Sequence, residues 1–276
     1  MLSVLDEWGS SLETVSFADL SVLLVEHLHV TASASVFAKC AENNVAVIFC
    51  DGKHQPVSLT QPFHGHTLHT KVFRELLAVK HPRLKSLWKQ IIRGKVLNQA
   101  ALLGKAGIPG AGLVSLAGKI RSGDPGNIEA RAARIYWQRL LGKGFIRDRE
   151  GSWPNPLLNY GYSVLRAAVA KAVVSTGMHP AFPVHHHNQY NPFCLADDLM
   201  EPYRPFVDWK AFEIYQYQPE GLLGLEQKHK MLGLLVERYP TGGKSLPLFQ
   251  SLSSFANQAM DWLRGSETKV QPPIFK

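Results

Sequence analysis

The stretch Lys71-Val-Phe-Arg-Glu-Leu-Leu-Ala-Val-Lys-His-Pro-Arg-Leu-Lys-Ser-Leu-Trp-Lys-Gln-Ile-Ile-Arg-Gly-Lys95 marks a change of character in this chain of 276 residues. Leu84, Leu87, Trp88, Ile91 and Ile92 fall at helical spacing and make an apolar face, while Lys85, Lys89 and Arg93 repeat every four residues on another. The helical pattern of Lys71 to Val79 continues through Pro82 into this run. Before it the chain reads as strands, and after it as helices. The fold class expected is therefore α+β, with a small β-rich N-terminal domain over residues 1–65 and a larger all-α domain over 66–276.

Upstream, Ser21 to Glu26 and Val45 to Cys50 are short β-branched runs, the second closed by Asp51-Gly52 and followed by a third at Pro56 to Thr60. Between the first two, Thr31 to Asn43 reads as a helix with Thr31 or Ser33 as its cap and Asn43-Asn44 as its stop. Downstream, Gly107 to Gly112 is a loop or break and Leu113 to Ile120 resumes an apolar pattern. Asp124 then caps a helix with Pro125 at its first position and Glu129 in its second turn. Leu157 to Thr176, Phe212 to Tyr217, Gln227 to Arg238 and Leu248 to Leu263 complete the helices, and the polar tail from Gly265 is expected to be mobile or ordered only in a complex.

Charge narrows the choice of partner. With 30 Lys+Arg against 22 Asp+Glu the formal charge is +8, which favours an anionic partner such as nucleic acid. Lys71 to Lys95 concentrates this, with eight Lys/Arg and a single acid, Glu75, where a solvated helix face would mix signs. Lys85, Lys89, Arg93, Arg131 and Arg134 are the candidate phosphate contacts. Tyr160 reads either as a half-buried core aromatic or as a hydroxyl beside a phosphate. Cys40, Cys50 and Cys194 have no CxxC spacing, so neither a disulfide framework nor a zinc ribbon is indicated. The first residues carry acids where a signal peptide needs a basic then apolar run, and no window reaches a membrane span, so a cytoplasmic protein is expected.

Gly177 to Asp208 carries the densest chemistry, gathering histidines, carboxylates and Arg204 among too many prolines for one continuous helix. Asp198 and Glu201 stand three apart, which on a helix is both metal-ligand spacing and the spacing of a capping box. His185, His186 and His187 are within loop reach of them, and in an extended backbone His186 faces away from its two neighbours. Oxygen-rich ligation with one imidazole suits Mg2+ or Mn2+ better than zinc. No dinucleotide fingerprint, Walker loop or zinc-deaminase Pro-Cys-x-x-Cys appears.

Three stretches taken together resemble the CRISPR-associated integrase of spacer acquisition, the Cas-one family, in its type II form. They are Gly123 to Trp137, Asn155 to Tyr162, and His185 to Asn191 running into Asp198-Leu-Met-Glu-Pro-Tyr-Arg-Pro205. The resemblance implies a β-rich dimerisation domain joined to an α-helical catalytic domain, homodimers that clamp a Cas-two dimer in a heterohexamer, and a site for Mg2+ or Mn2+. It places the family's glutamate on Glu129, its histidine on His186 and its paired acids on Asp198 and Glu201, with Asp198 ranked last. The reaction implied is transesterification, in which a prespacer 3′-hydroxyl attacks the CRISPR repeat in double-stranded DNA. The type II effector nuclease is a further candidate partner. Two rival readings are a structure-selective nuclease on branched DNA and a non-catalytic DNA-binding scaffold.

Overall fold

The computed structural model describes residues 1–52, 56–60, 62 and 67–275. They form two compact units, Met1–Thr67 and Leu68–Lys276. The boundary expected between residues 65 and 66 lies outside the described residues.

In the first unit, β1 (Leu2–Leu5) and β2 (Ser11–Val15) form an antiparallel hairpin that the sequence reading did not single out. A separate sheet has the order β3 (Val22–Val25), β4 (Ala46–Cys50), β5 (Pro56–Thr60). β3 and β4 are parallel because α1 (Ala34–Glu42) crosses between them, and β4 and β5 are antiparallel. Ser33 and Asn43 bound α1 as expected. Leu2, Phe17, Cys40, Val45 and Val47 are the buried core, with Val36, Phe37 and Phe49 packed against it.

The second unit begins with a correction. The expected continuous helix through Pro82 is two helices, α2 (His69–Leu77) and α3 (His81–Lys105). Lys80 is extended at φ −74°, ψ 140°, and Pro82 sits in the first turn of α3, where its missing N–H costs no hydrogen bond. α3 is the axis of the unit. It packs against α4 (Ala111–Gly118), α5 (Ile128–Leu140), the single 3-10 turn Glu201–Tyr203, α8 (Arg204–Tyr217) and α10 (Leu248–Leu263). α6 (Asn155–Ser175) packs against α7 (Cys194–Met200), α8, α9 (Leu225–Gly233) and α10. Among the described residues no helix is long and apolar enough to cross a membrane.

Three further expectations change. The start of α5 lies three residues later than read, at Ile128, so Pro125 is not its first residue and Glu129 falls in its first turn. Asp124 still caps it, accepting from the Ile128 N–H at 3.0 Å and the Glu129 N–H at 2.9 Å, because Asp124 and Asn127 take left-handed conformations that bring the carboxylate back over the helix end. The unit is also not wholly helical. β6 (Arg238–Thr241) and β7 (Lys244–Pro247) form a hairpin through Gly242 and Gly243, both at positive φ, as a two-residue hairpin turn demands.

Finally, the tail expected to be mobile is packed. Phe275 is 1% exposed, with its ring against Phe206, Trp209 and Tyr239. Asn98 on α3 donates to the Pro273 carbonyl at 2.9 Å and accepts from the Phe275 N–H at 3.0 Å. Pro272 lies over Gly94, where a Cβ would run into it. A glycine on α3 and an amide one turn later thus make a seat for this segment.

Candidate active site

Glu129 and Glu201 come from distant segments and meet at Lys95. Glu129 arrives in the first turn of α5, aimed by the Asp124 cap, and Glu201 on the turn between α7 and α8. The Lys95 ammonium donates to Glu129 Oε1 at 2.6 Å and pairs with Glu201 Oε2 at 2.5 Å. On its other side Glu201 pairs through Oε1 with Arg204 Nε at 2.7 Å. Glu201 is thus paired on both of its oxygens, with Lys95 at Oε2 and Arg204 at Oε1.

Charge fixes the protonation states here. Burial pushes the Glu201 carboxyl up, but the Arg204 guanidinium and Lys95 ammonium outweigh it and bring it down to about 2. Burial opposes the charged form of Lys95, yet Glu201 and then Glu129 raise it above its ordinary value. Glu201 is therefore a carboxylate and Lys95 an ammonium near neutral pH.

The alternation expected of an extended segment is not what is found: the chain bends at residues 184–185, and His185 and His186 both pack against Trp88. The His185 ring stacks on Trp88 with centroids 4.0 Å apart and planes 3° apart, and burial lowers its pKa. His186 meets the same Trp88 edge-on, with ring centroids 5.8 Å apart, and its Nδ1 lies 2.5 Å from Asp198 Oδ1. That hydrogen bond raises the His186 pKa against the effect of burial, with help from the charges of Asp198 and Glu201. Placing the proton on Nδ1 leaves Nε2 as the free donor atom, the arrangement by which a carboxylate orients a metal-binding imidazole. His187 is exposed.

Asp198 is the main correction among the proposed ligands. It is fully buried in the middle of α7, so it is not the cap of a capping box; the cap position is Phe193. Its Oδ2 accepts from the Val184 and His185 N–H groups at 3.0 and 2.8 Å, and its Oδ1 from the His186 N–H at 3.3 Å and ring. These bonds fold the histidine loop around it.

Other candidates sort by exposure. Lys85, Lys89, Arg93, Arg131 and Arg134 are exposed, free to meet a phosphate backbone. Tyr160 is 0% exposed and is withdrawn as a DNA contact. Within the basic run, Lys95 faces inward, and Arg83 is committed to the Trp262 and Ser266 carbonyls. Lys95 and Arg204 are the site residues that sequence reasoning missed. The signal for Lys95 was present: it falls three or four residues after Ile91 and Ile92, in phase with the apolar face of α3, where a cation needs a buried carboxylate.

Behind the site lies a second buried acid. Asp208 accepts from the hydroxyls of Tyr136, at 2.9 Å, and Tyr162. The Arg204 guanidinium lies over the Tyr162 ring, 4.6 Å from its centroid, and so joins the two clusters. Among the described residues no three His, Cys, Asp or Glu side chains stand close enough to hold an ion as they are. The point between Glu129 and Glu201 is held by Lys95.

Comparisons with known proteins agree on one family. The model of the CRISPR associated protein Cas1 matches residues 4–122 and 126–218. The CRISPR-associated endonuclease Cas1 of Neisseria meningitidis is 36% identical over 205 residues, which is 74% of this chain and 67% of that protein. A CRISPR-associated endonuclease Cas1 of Pyrobaculum aerophilum is 29% identical over 79% of this chain and 78% of its own length. Among solved structures, a Cas1 protein from Thermotoga maritima superposes with a TM-score of 0.78 at 16% identity, covering 98% of this chain and 94% of that one. A casposase bound to integration product gives 0.70 at 18% identity, covering 92% and 83%. At these identities the two structures speak to the fold.

Proposed function

The chain belongs to the CRISPR associated protein Cas1 family, the Cas-one family of the motifs above, and from that premise we propose that it is a divalent-metal-dependent DNA integrase with endonuclease capability. It joins prespacer 3′-hydroxyl ends into the CRISPR array by transesterification during spacer acquisition. The observation that carries the reading is the convergence of Glu129 and Glu201 on one positive charge, 2.6 and 2.5 Å from the Lys95 ammonium. Carboxylates from two segments so far apart in sequence, meeting beside a buried charge, are the arrangement expected of a cation site.

The donor set fits Mg2+ or Mn2+: two carboxylates already gathered around one positive charge, and an imidazole whose Nε2 is available. Glu129, Glu201 and His186 are the proposed ligands. When bound, the ion would lower the pKa of the attacking hydroxyl and stabilise charge on the phosphate. The chain's own residues do the positioning. Asp198 fixes the His186 ring, Arg204 keeps Glu201 ionised, and Asp124 holds the turn that presents Glu129. Lys85, Lys89, Arg93, Arg131 and Arg134 hold the DNA backbone, which makes binding strongly salt dependent.

Endonuclease capability follows the name of the Neisseria relative. Integration is put first because the casposase of the same fold is bound to integration product. A Cas2 dimer clamped by homodimers of this chain is proposed from the solved Cas6-RT-Cas1–Cas2 complex, whose Cas1-bearing chain has a TM-score of 0.65 to this one at 18% identity. The type II effector nuclease is proposed as an additional partner.

The test mixes labelled prespacer with supercoiled plasmid bearing the repeat, with and without Cas2, in Mg2+, Mn2+ or chelator. Covalent branched product that needs both the metal and a 3′-hydroxyl is the expected result. Nicked or linear plasmid without branched product would favour the branched-DNA nuclease. If Glu129→Ala matched wild type in every lane, only a DNA-holding scaffold would remain.

A further inference from the structure

Lys95 has no part in the ligand set, yet its ammonium stands between the two glutamates. We propose that Lys95 is a built-in counter-cation, which holds the unloaded site together and which the divalent ion must displace in order to bind. This rests on the metal reading of Glu129, Glu201 and His186.

A buried carboxylate, Glu201, and a half-buried one, Glu129, brought together without a cation repel, and the cost of that repulsion grows as water is excluded. Lys95 offsets it, since the ammonium lies within 2.6 Å of both acids while the side chain is only 10% exposed. The segments that carry the acids do not depend on it for their placement. Asn98 donates to the Pro202 carbonyl at 2.8 Å, tying α3 to the turn that carries Glu201, and Arg204 holds that carboxylate from its far side. The backbone at Glu129 is held by the Asp124 cap. The scaffold therefore brings both segments to one point, and the ammonium draws the two carboxylates onto it.

The ammonium is also the part best able to leave. It is a compact charge on a flexible four-carbon stem, whereas Arg204 is also stacked over the Tyr162 ring. An ion of charge two gains more from the same pair of carboxylates than an ammonium does. The groups facing the point are Glu129, Glu201, Arg204 and, from the loop before α7, His186; Arg204 is a second cation, but it meets Glu201 at Oε1, leaving Lys95 alone between the two acids. Wild-type protein should then bind metal more weakly than its ligands alone would allow, in return for a stable metal-free state.

The experiment titrates Mn2+ into metal-free full-length wild type, Lys95→Met and Lys95→Arg. Free Mn2+ is followed by electron paramagnetic resonance, and thermal unfolding is recorded with and without the ion. Lys95→Met keeps the stem and loses the charge, so it should bind Mn2+ about tenfold or more tightly than wild type. Its melting temperature should be lower without the ion and gain more from it, while Lys95→Arg should show no tightening. Equal or weaker binding by Lys95→Met overturns the proposal and leaves the metal reading standing. No binding by wild type and both variants overturns the metal reading, and the proposal with it. If Lys95→Met folds only when Mn2+ is added, the ion has replaced the lysine and the proposal is supported. If it folds under neither condition, the lysine has a structural role that the ion does not take over, and the proposal fails.

Discussion

Glu201 and Asp208 lie one helical run apart and are buried to the same degree, 3% and 2% exposed, yet their surroundings push them in opposite directions. Glu201 faces two cations, Lys95 and Arg204, and its carboxyl is brought down to about 2. Asp208 faces two tyrosine hydroxyls, and burial, only partly offset by them and by the charges of Arg204 and Arg147, leaves it up at about 6. Burial alone therefore does not mark a functional acid. Glu201 is held by charges. Asp208, held by neutral donors, is a tie between α5, α6 and α8.

The largest effect that can break this contrast is on activity. Glu201→Gln should reduce strand transfer by about a thousandfold or more, and should destabilise the protein by about 3 kcal/mol because it uncouples Arg204 and Lys95. Asp208→Asn keeps the shape and the hydrogen-bonding oxygen and should stay within a few fold of wild type. Equal loss of strand transfer in the two variants would erase the distinction.

The pH dependence of stability follows next. The folded protein holds the Asp208 proton more tightly than the unfolded chain, whose ordinary value is 3.8. Its ionisation costs stability, a cost fully present above about pH 6 and relieved as the pH falls towards 4. Glu201 acts with the opposite sign: its contribution is present above its ordinary value of 4.5 and is lost as the pH falls towards 2. Metal-free denaturant melts should show wild type gaining on Asp208→Asn, by on the order of 3 kcal/mol, between pH 6 and 4. A constant difference across that window would show that Asp208 ionises without penalty.

A smaller effect tests the division of labour between Asp198 and Glu201. Asp198→Asn should lower Mn2+ affinity by about 10- to 100-fold through the His186 ring, as loss of an orienting partner does, rather than abolish it as loss of a ligand would. Isothermal titration calorimetry reads the difference. The smallest change is expected at the solvated charge Lys89. Its replacement by Ala should leave stability within about 0.5 kcal/mol and reduce the salt dependence of DNA binding by about one phosphate contact.

Much of the fold was legible because its signals are local. The strand runs at residues 21–26 and 45–50, the helix ended by Asn43 and the apolar face of α3 all appear where periodicity and caps indicated. Gly242-Gly243 was an available hairpin signal that the helical surroundings overrode. Pro82 permitted a helix start as readily as a continuation, and only the extended Lys80 decided between them. In the site, Asp198 and Glu201 could not be told apart by spacing. One is consumed by the backbone of the histidine loop and the other is presented to cations.

By itself the sequence determined the element types, the basic face, the family resemblance and the residue kinds fit for an ion, since these depend on composition and on spacing of a few residues. The tertiary structure alone decided that Lys95 lies between Glu129 and Glu201, that Asp198 serves the loop, that Tyr160 is enclosed and that the segment up to Phe275 seats against α3. Those outcomes depend on which groups are left to share a buried space, where each charge must find a partner or pay for its lost water. Such partners come from segments tens of residues apart, and no local pattern in the chain records their meeting.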